Sequence, residues 1–298
     1  MSGNTMLSII KEQLYASKPD CLLYHYTGYQ ALLAIAKSST LWATEIHYFN
    51  DSSELRHAVS LFQNTLIDLA SESRHSENLI EQLHEWLNMR LADGHMLFVA
   101  CFSEDGNLLS QWRGYTPHGN GVSLGFSPQF LTERASSNGF RLAPCIYERE
   151  QQGIIAKNSI NAILSHAVEI GAAAPRECHP SQSFFPRFYE KEADLLSIAA
   201  LLKNPAFCAE REWRAVSAVS TNHTDNPLRY RAGHTTLIPY KEFVLRASES
   251  SNIKLQKAYL GPTPENSLAM KALSIFLSSS GINPEEGLVA SQLPYRET

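Results

Sequence analysis

Glu210-Arg211-Glu212-Trp213-Arg214 sets four charges and a tryptophan directly ahead of the apolar Ala215-Val216. In an extended strand, residues i and i+2 share a face. Glu210, Glu212 and Arg214 then project from one side, and Arg211 and Trp213 from the other. Packing gives no reason to place like charges side by side in a partly buried position, because they repel. Acid–base chemistry does, since neighbouring carboxylates push their pKa values apart and so separate into two roles. The solvated face of an edge strand is the other reading, and the local pattern leaves both open.

Three more clusters have the same character. Tyr24-His25-Tyr26-Thr27 closes the apolar run Cys21-Leu22-Leu23. His25 can donate or accept a hydrogen bond at neutral pH, or it is a satisfied core histidine. His47 to Glu54 holds Asn50-Asp51, which reads first as a turn and helix cap, with Asp51 as N-cap and Glu54 closing a capping box. Phe102-Ser103 leads through a loop to Gln111-Trp112-Arg113-Gly114-Tyr115. There a Trp-Arg pair offers a flat stacking surface and a cation for an anionic ligand, or else anchors the loop over the core. Each cluster follows an apolar strand or helix, and each carries groups suited to ribose, phosphate and an aromatic base.

Other chemistries lack their signatures. The sequence contains no GxGxxG, GxxxxGK[ST] or HExxH. Cys178-His179 is an isolated pair with no second pair, so no metal site is expected.

The elements that must carry these clusters follow from periodicity and punctuation. A lead-in helix is predicted over 6–15 within an N-terminal segment 1–20, followed by a single α+β domain over 21–298. Strands are predicted over 21–27, 41–43, 96–103, 121–127, 141–148, 210–219, 235–239, 253–260 and 288–290. Helices are predicted over 28–39, 52–72, 78–91, 151–174, 189–203 and 264–279, with helical insertions at about 52–92 and 150–203. Without strict βαβ alternation, this order predicts a mixed, mostly antiparallel sheet flanked by helices.

The 298 residues are 44% hydrophobic and 18% charged, enough for a sizeable core and against wholesale disorder. A net charge of −5 argues against a surface that coats nucleic acid generally. Five dispersed cysteines with no CxxC pair read as reduced thiols. No signal-peptide pattern opens the chain, and the apolar run over 195–202 is too short to span a bilayer. A cytoplasmic protein without a membrane partner is expected.

The ordered series Leu23-Tyr24-His25-Tyr26-Thr27, Phe49-Asn50-Asp51-Ser52-Ser53-Glu54-Leu55, Ala100-Cys101-Phe102-Ser103-Glu104, Gln111-Trp112-Arg113-Gly114-Tyr115, Lys203-Asn204-Pro205-Ala206-Phe207, Glu210 to Arg214, Leu260-Gly261-Pro262 and Ser291 to Arg296 resembles a large bacterial family known only as a domain of unknown function. That family looks like a distant relative of the ADP-ribosyltransferase fold. The resemblance implies an NAD-consuming enzyme that transfers ADP-ribose to a protein or nucleic acid, or hydrolyses NAD. By family analogy it also implies a role as a toxin or in antiphage defence, with an inhibitory partner conceivable. It places His25 and Thr27 in a His-Tyr-Thr motif holding a ribose hydroxyl, and Glu210-Arg211-Glu212 in a Glu-x-Glu motif at the nicotinamide ribose. Cleavage of the nicotinamide–ribose bond passes through an oxocarbenium-like state that a carboxylate stabilises. The expected catalytic set is therefore Glu212, Glu210 and His25. The expected NAD-binding set is Tyr26, Thr27, Ser103, Gln111, Trp112, Arg113, Tyr115 and Arg214. Trp213-Arg214 departs from the transferase pattern, and Arg214 could instead neutralise Glu210 or Glu212 structurally. The alternatives are a nuclease or phosphotransferase using the same Glu/Arg/His pocket, and a non-catalytic nucleotide-binding or sensor module.

Overall fold

The computed structural model describes residues 3–49, 53–72, 75–91, 94–116, 120–171, 179–220, 228–233, 235–248 and 250–293. The expected cap at Asp51, Cys178 and the closing 294–296 lie outside them, and nothing is described of the Glu54 side chain.

β3 (Phe98–Ser103) organises the sheet. Its FVACFS run is buried on both faces, as expected of a central strand. Along one edge it pairs antiparallel with β6 (Glu212–Ser217), from Val99↔Val216 to Ser103↔Glu212. β6 pairs in turn with β5 (Phe140–Pro144). Two strands share the other edge. β2 (Thr40–Glu45) meets β3 at Phe98 and Val99, whereas β1 (Leu23–Thr27) meets it at Ser103.

From those contacts the two strands diverge. β1 runs on into β4 (Val122–Phe126), β9 (Lys257–Leu260) and β10 (Leu288–Ala290). β2 runs on into β8 (Leu237–Val244) and the edge strand β7 (Arg229–Ala232). Among the described strands only β9 and β10 pair in parallel, so the sheet is mixed and mostly antiparallel, as expected. Between the arms, the edge of β3 at Ala100 to Phe102 faces a fork.

Alternation along β3 and β6 separates two cores. Val99 and Val216 face a helical layer of α1 (Gly3–Leu14), α3 (Ser53–Glu72), α4 (Glu77–Trp86), α7 (Arg149–Ile170) and α8 (Phe185–Ala199). Phe98, Ala100, Phe102, Trp213 and Ala215 face α2 (Tyr29–Ser38), α6 (Pro128–Ser137) and α9 (Asn266–Ser279). The expected insertions thus form one layer, which α1 joins through Leu7 in the core and through Lys11 and Ser8 on Asp194 at 2.5 and 2.7 Å. Among the described residues, no helix is long and apolar enough to cross a membrane.

Several elements differ from the sequence expectation. The expected loop at Gln111–Tyr115 is the short helix α5 (Leu109–Tyr115), seeded where the Leu108 N–H bonds Tyr26 Oη. α6 was not anticipated, although Ser127 caps it and Pro128 starts it in a recognisable N-terminal pattern. The expected strand over 210–219 begins only at Glu212. Pro205–Glu210 is a 3-10 turn, and Arg211 adopts a left-handed φ of 40°. α8 ends at Ala199, before the predicted 203, and leaves Lys203 in an extended segment. That segment pairs with Ile146 through the Lys203 N–H and the Leu201 carbonyl.

β1 and β4 approach closely at the end that bears Thr27. A Cβ on Gly121 would lie 2.3 Å from the Thr27 carbonyl oxygen and 2.7 Å from Thr116 Cγ2, and backbone cannot yield cheaply. We expect Gly121→Ala to lose on the order of 1–3 kcal/mol and to lower Tm by several degrees. Gly114→Ala, which meets open space in α5, should leave Tm unchanged or raise it. Equal Tm values for the two variants would contradict the close approach.

Candidate active site

A cavity of about 430 Å³ occupies the fork, within the ~300–1,000 Å³ range of small-molecule sites. Its lining comes from both faces of the sheet. Ala31, Ile35, Ala100 and Phe102 contribute from the α2 face, and Cys101, Phe207, Glu210 and Glu212 from the other. Trp42, Tyr48 and Phe49 give an aromatic wall on the β2 side, while Tyr24 to Thr27 line the β1 side.

The floor is a buried charge cluster. Glu212 and Arg214 share a face of β6 and touch, with Arg214 Nε donating to Glu212 Oε1 at 2.8 Å and Nη2 to Oε2 at 3.2 Å. Lys203 Nζ forms a short bond to Glu212 Oε2 and donates to Glu210 Oε2 at 2.7 Å. Arg214 also donates to the Ala200 carbonyl at 2.7 Å and lies over the Phe49 ring. Lys203, Glu212 and Arg214 are 1%, 4% and 2% exposed. Burial alone would raise the Glu212 pKa, but Arg214 and Lys203 outweigh it and hold the carboxyl down at about 2. The left-handed turn at Arg211 takes Glu210 out of the strand, so that one lysine reaches both acids.

His25 closes the fork from the β1 side. Its Nδ1 lies 3.0 Å from the Cys101 carbonyl, an atom that can only accept, so Nδ1 carries the proton. The imidazole thereby occupies a main-chain position that no neighbouring strand reaches. Burial lowers its pKa, so at neutral pH the ring is uncharged with its lone pair on Nε2. Tyr115 lines the cavity, and partial desolvation there and then the Glu212 charge push its phenol up.

All three expected catalytic residues, Glu212, Glu210 and His25, line this one cavity, together with Tyr26, Thr27, Gln111 and Tyr115. The remaining expected binding residues lie elsewhere. Trp112 is fully buried, bonded to Asn107 at 3.0 Å and edge-on to Tyr26, so it anchors α5 against β1 and offers no stacking surface. Tyr26 lines the cavity, yet its hydroxyl is committed to the Asp105 carbonyl and the Leu108 N–H. Ser103 Oγ donates to the Glu210 carbonyl and lies outside the lining. Arg113 is exposed on α5 beyond it, and Arg214 is enclosed in the charge cluster. Trp42, Thr44, Phe207, Lys203 and Arg231 were not anticipated. An aromatic–x–Thr pattern on β2 was a legible signal for the first two, whereas Lys203 was hidden by its apparent place at a helix end.

Because Glu212 neutralises two enclosed cations, Glu212→Gln should cost about 3–5 kcal/mol and lower Tm by at least ~6 °C. Its folded pKa of about 2 lies below the ordinary 4.5. The stabilisation is therefore complete above about pH 4.5 and is lost as pH falls toward 2. Acid titration of Tm should show this slope in the native protein and lack Glu212's share of it in the variant. Unchanged melting would mean that the cluster contributes nothing.

The chain matches no curated protein and no solved structure. Residues 111–215, from Gln111 in α5 through Glu212 and Arg214 to Ala215 in β6, match the family model described as "Protein of unknown function (DUF2971)".

Proposed function

We propose that this protein is an NAD-consuming enzyme of ADP-ribosyltransferase-like fold, transferring ADP-ribose to a macromolecule or to water, and acting in the cytoplasm. The observation that carries the reading is the meeting of His25, Glu210 and Glu212 in one cavity where the sheet forks. Those residues were singled out from sequence motifs nearly two hundred positions apart.

In this reading the C1′–N bond between ribose and nicotinamide breaks, and its electron pair leaves on the nicotinamide ring nitrogen. The oxocarbenium-like carbon is captured by an acceptor nucleophile or water, which gives up a proton. His25 Nε2, unprotonated, accepts a hydrogen bond from a ribose hydroxyl. Glu210 is the better carboxylate for the developing positive charge and the departing proton. Glu212 is held by both Arg214 and Lys203, and a carboxylate whose charge is so compensated stabilises a nearby cation poorly. Glu212 then acts as a positioning residue, fixing the lysine that orients Glu210. Tyr115 and the β2-side aromatics supply flat surface for a ring.

Nicotinamide release from NAD by the purified protein tests the reading directly. We expect Glu210→Gln to lower kcat at least ~100-fold, the scale of lost acid–base catalysis, while Tm stays near that of the native protein. His25→Ala should raise KM. The native rate should also fall on the acid side as His25 gains a proton, below the usual histidine range because its pKa is lowered. Absence of both nicotinamide release and NAD binding by calorimetry would sink the proposal.

A further inference from the structure

The cations at the cavity differ in how their charge is met. Lys203 and Arg214 have Glu210 and Glu212 against them. Arg231, on the edge strand β7, also lines the cavity, yet among the described residues no carboxylate pairs with it. The nearby acid on β8, Glu242, is engaged by Arg229 at 3.2 Å. Arg231 is held in place by neutral groups. One terminal nitrogen donates to Thr44 Oγ1 at 3.2 Å, and the guanidinium carbon lies 5.9 Å from the centre of the Trp42 ring. Trp42 in turn packs on the buried Tyr240 at 4.9 Å.

This places a fixed, half-buried positive charge on the β2 arm, facing a cavity whose acids all lie on the β6 side. Its Nε is shut off from solvent with no hydrogen-bond partner. A guanidinium does not lose its proton, and an anion would offset its partial desolvation more fully than the neutral Thr44 and Trp42 do. Its fork of donors matches the geometry of phosphate oxygens.

We propose that Arg231 is the anion anchor of the cavity and takes a phosphate group of the ligand, which is thereby oriented with its phosphates toward β2 and its ribose toward His25 and Glu210. The identification of that group with the pyrophosphate of NAD rests on the proposed function; the anion site itself does not.

The test is calorimetric binding of ADP-ribose, inorganic pyrophosphate and the phosphate-free nicotinamide riboside to the native protein, Arg231→Met and Arg231→Lys. We expect Arg231→Met to weaken ADP-ribose binding about tenfold to a hundredfold, as for loss of a charged hydrogen-bonded contact. Arg231→Lys should recover part of it, and nicotinamide riboside should bind all three proteins alike. Tm should not fall in Arg231→Met, because the guanidinium is replaced without stranding a partner charge. Unaltered ADP-ribose affinity in Arg231→Met would overturn the assignment. So would a Tm loss of more than a few degrees, or failure of the native protein to bind either phosphate compound. Arg231-dependent binding of pyrophosphate without any binding of ADP-ribose or NAD would uphold the anion site while refuting the NAD reading.

Discussion

Lys203 and Arg214 can be buried only because Glu212 stands between them, and this constraint reaches through much of the fold. Each charge left alone in that position would cost several kcal/mol of desolvation. Three segments therefore have to converge: β6 with Glu212 and Arg214, the end of the 3-10 turn with Glu210, and the extended stretch after α8 with Lys203. The main chain at Lys203 is itself clamped, since Gln152 Nε2 on α7 donates to the carbonyls of Ile146 and Lys203 at 2.6 and 2.7 Å. The Gln152 Oε1 accepts in turn from His57 on α3. The left-handed conformation of Arg211, costing about 1 kcal/mol for a residue with a Cβ, is tolerated because it brings the second carboxylate to the same lysine. The cluster thus fastens the helical layer to the sheet and forms the floor of the cavity at once.

The fork above that floor follows from a shortage of edge. β1 and β2 both run antiparallel to β3, and both compete for one side of it. Neither can pair along its full length, so backbone between the two contacts needs another partner. His25 provides it through Nδ1 to the Cys101 carbonyl, and in doing so fixes its own tautomer. A side chain that completes the sheet with one nitrogen has the other available for a ligand. The aromatic residues on the diverging arms then line the gap where strand-to-strand packing is missing.

Much of this was legible in the sequence where a residue's neighbours in the chain determine its role. The apolar run of β3 and the period of the long helices α3, α7 and α9 announced those elements, whereas the coupling of the His-Tyr-Thr strand to the Glu-x-Glu segment came from the family resemblance and not from local pattern. Other features were set by distant partners. Trp112 reads as a stacking surface until Tyr26 and Asn107 are found to enclose it. The strand over Glu210 to Arg214 was predicted unbroken because nothing local reveals that Lys203 draws Glu210 out of line. Arg231 stood in a segment with no motif at all, and β7 escaped notice because an exposed edge strand has no buried face to impose an alternating pattern.

Local charge balance, more than the presence of acids and bases, ranks the groups in the cavity. Glu212 is the most conspicuous acid of the chain and also the most thoroughly neutralised, so its field barely reaches a ligand. Glu210 shares its lysine with Glu212, sits nearer the opening with its side chain 12% exposed, and keeps more of its negative charge for whatever binds. Arg231 retains a positive charge on the opposite arm, where neutral groups hold it. A ligand entering the fork therefore meets a field running from the β2 arm toward β6. That field favours a molecule with an anionic group at one end and a centre able to become cationic at the other. A dinucleotide cleaved at its nicotinamide–ribose bond has that polarity, with the pyrophosphate and the incipient oxocarbenium separated along one molecule. The placement of the charges on opposite arms, and not the carboxylate count, is what gives the cavity a direction.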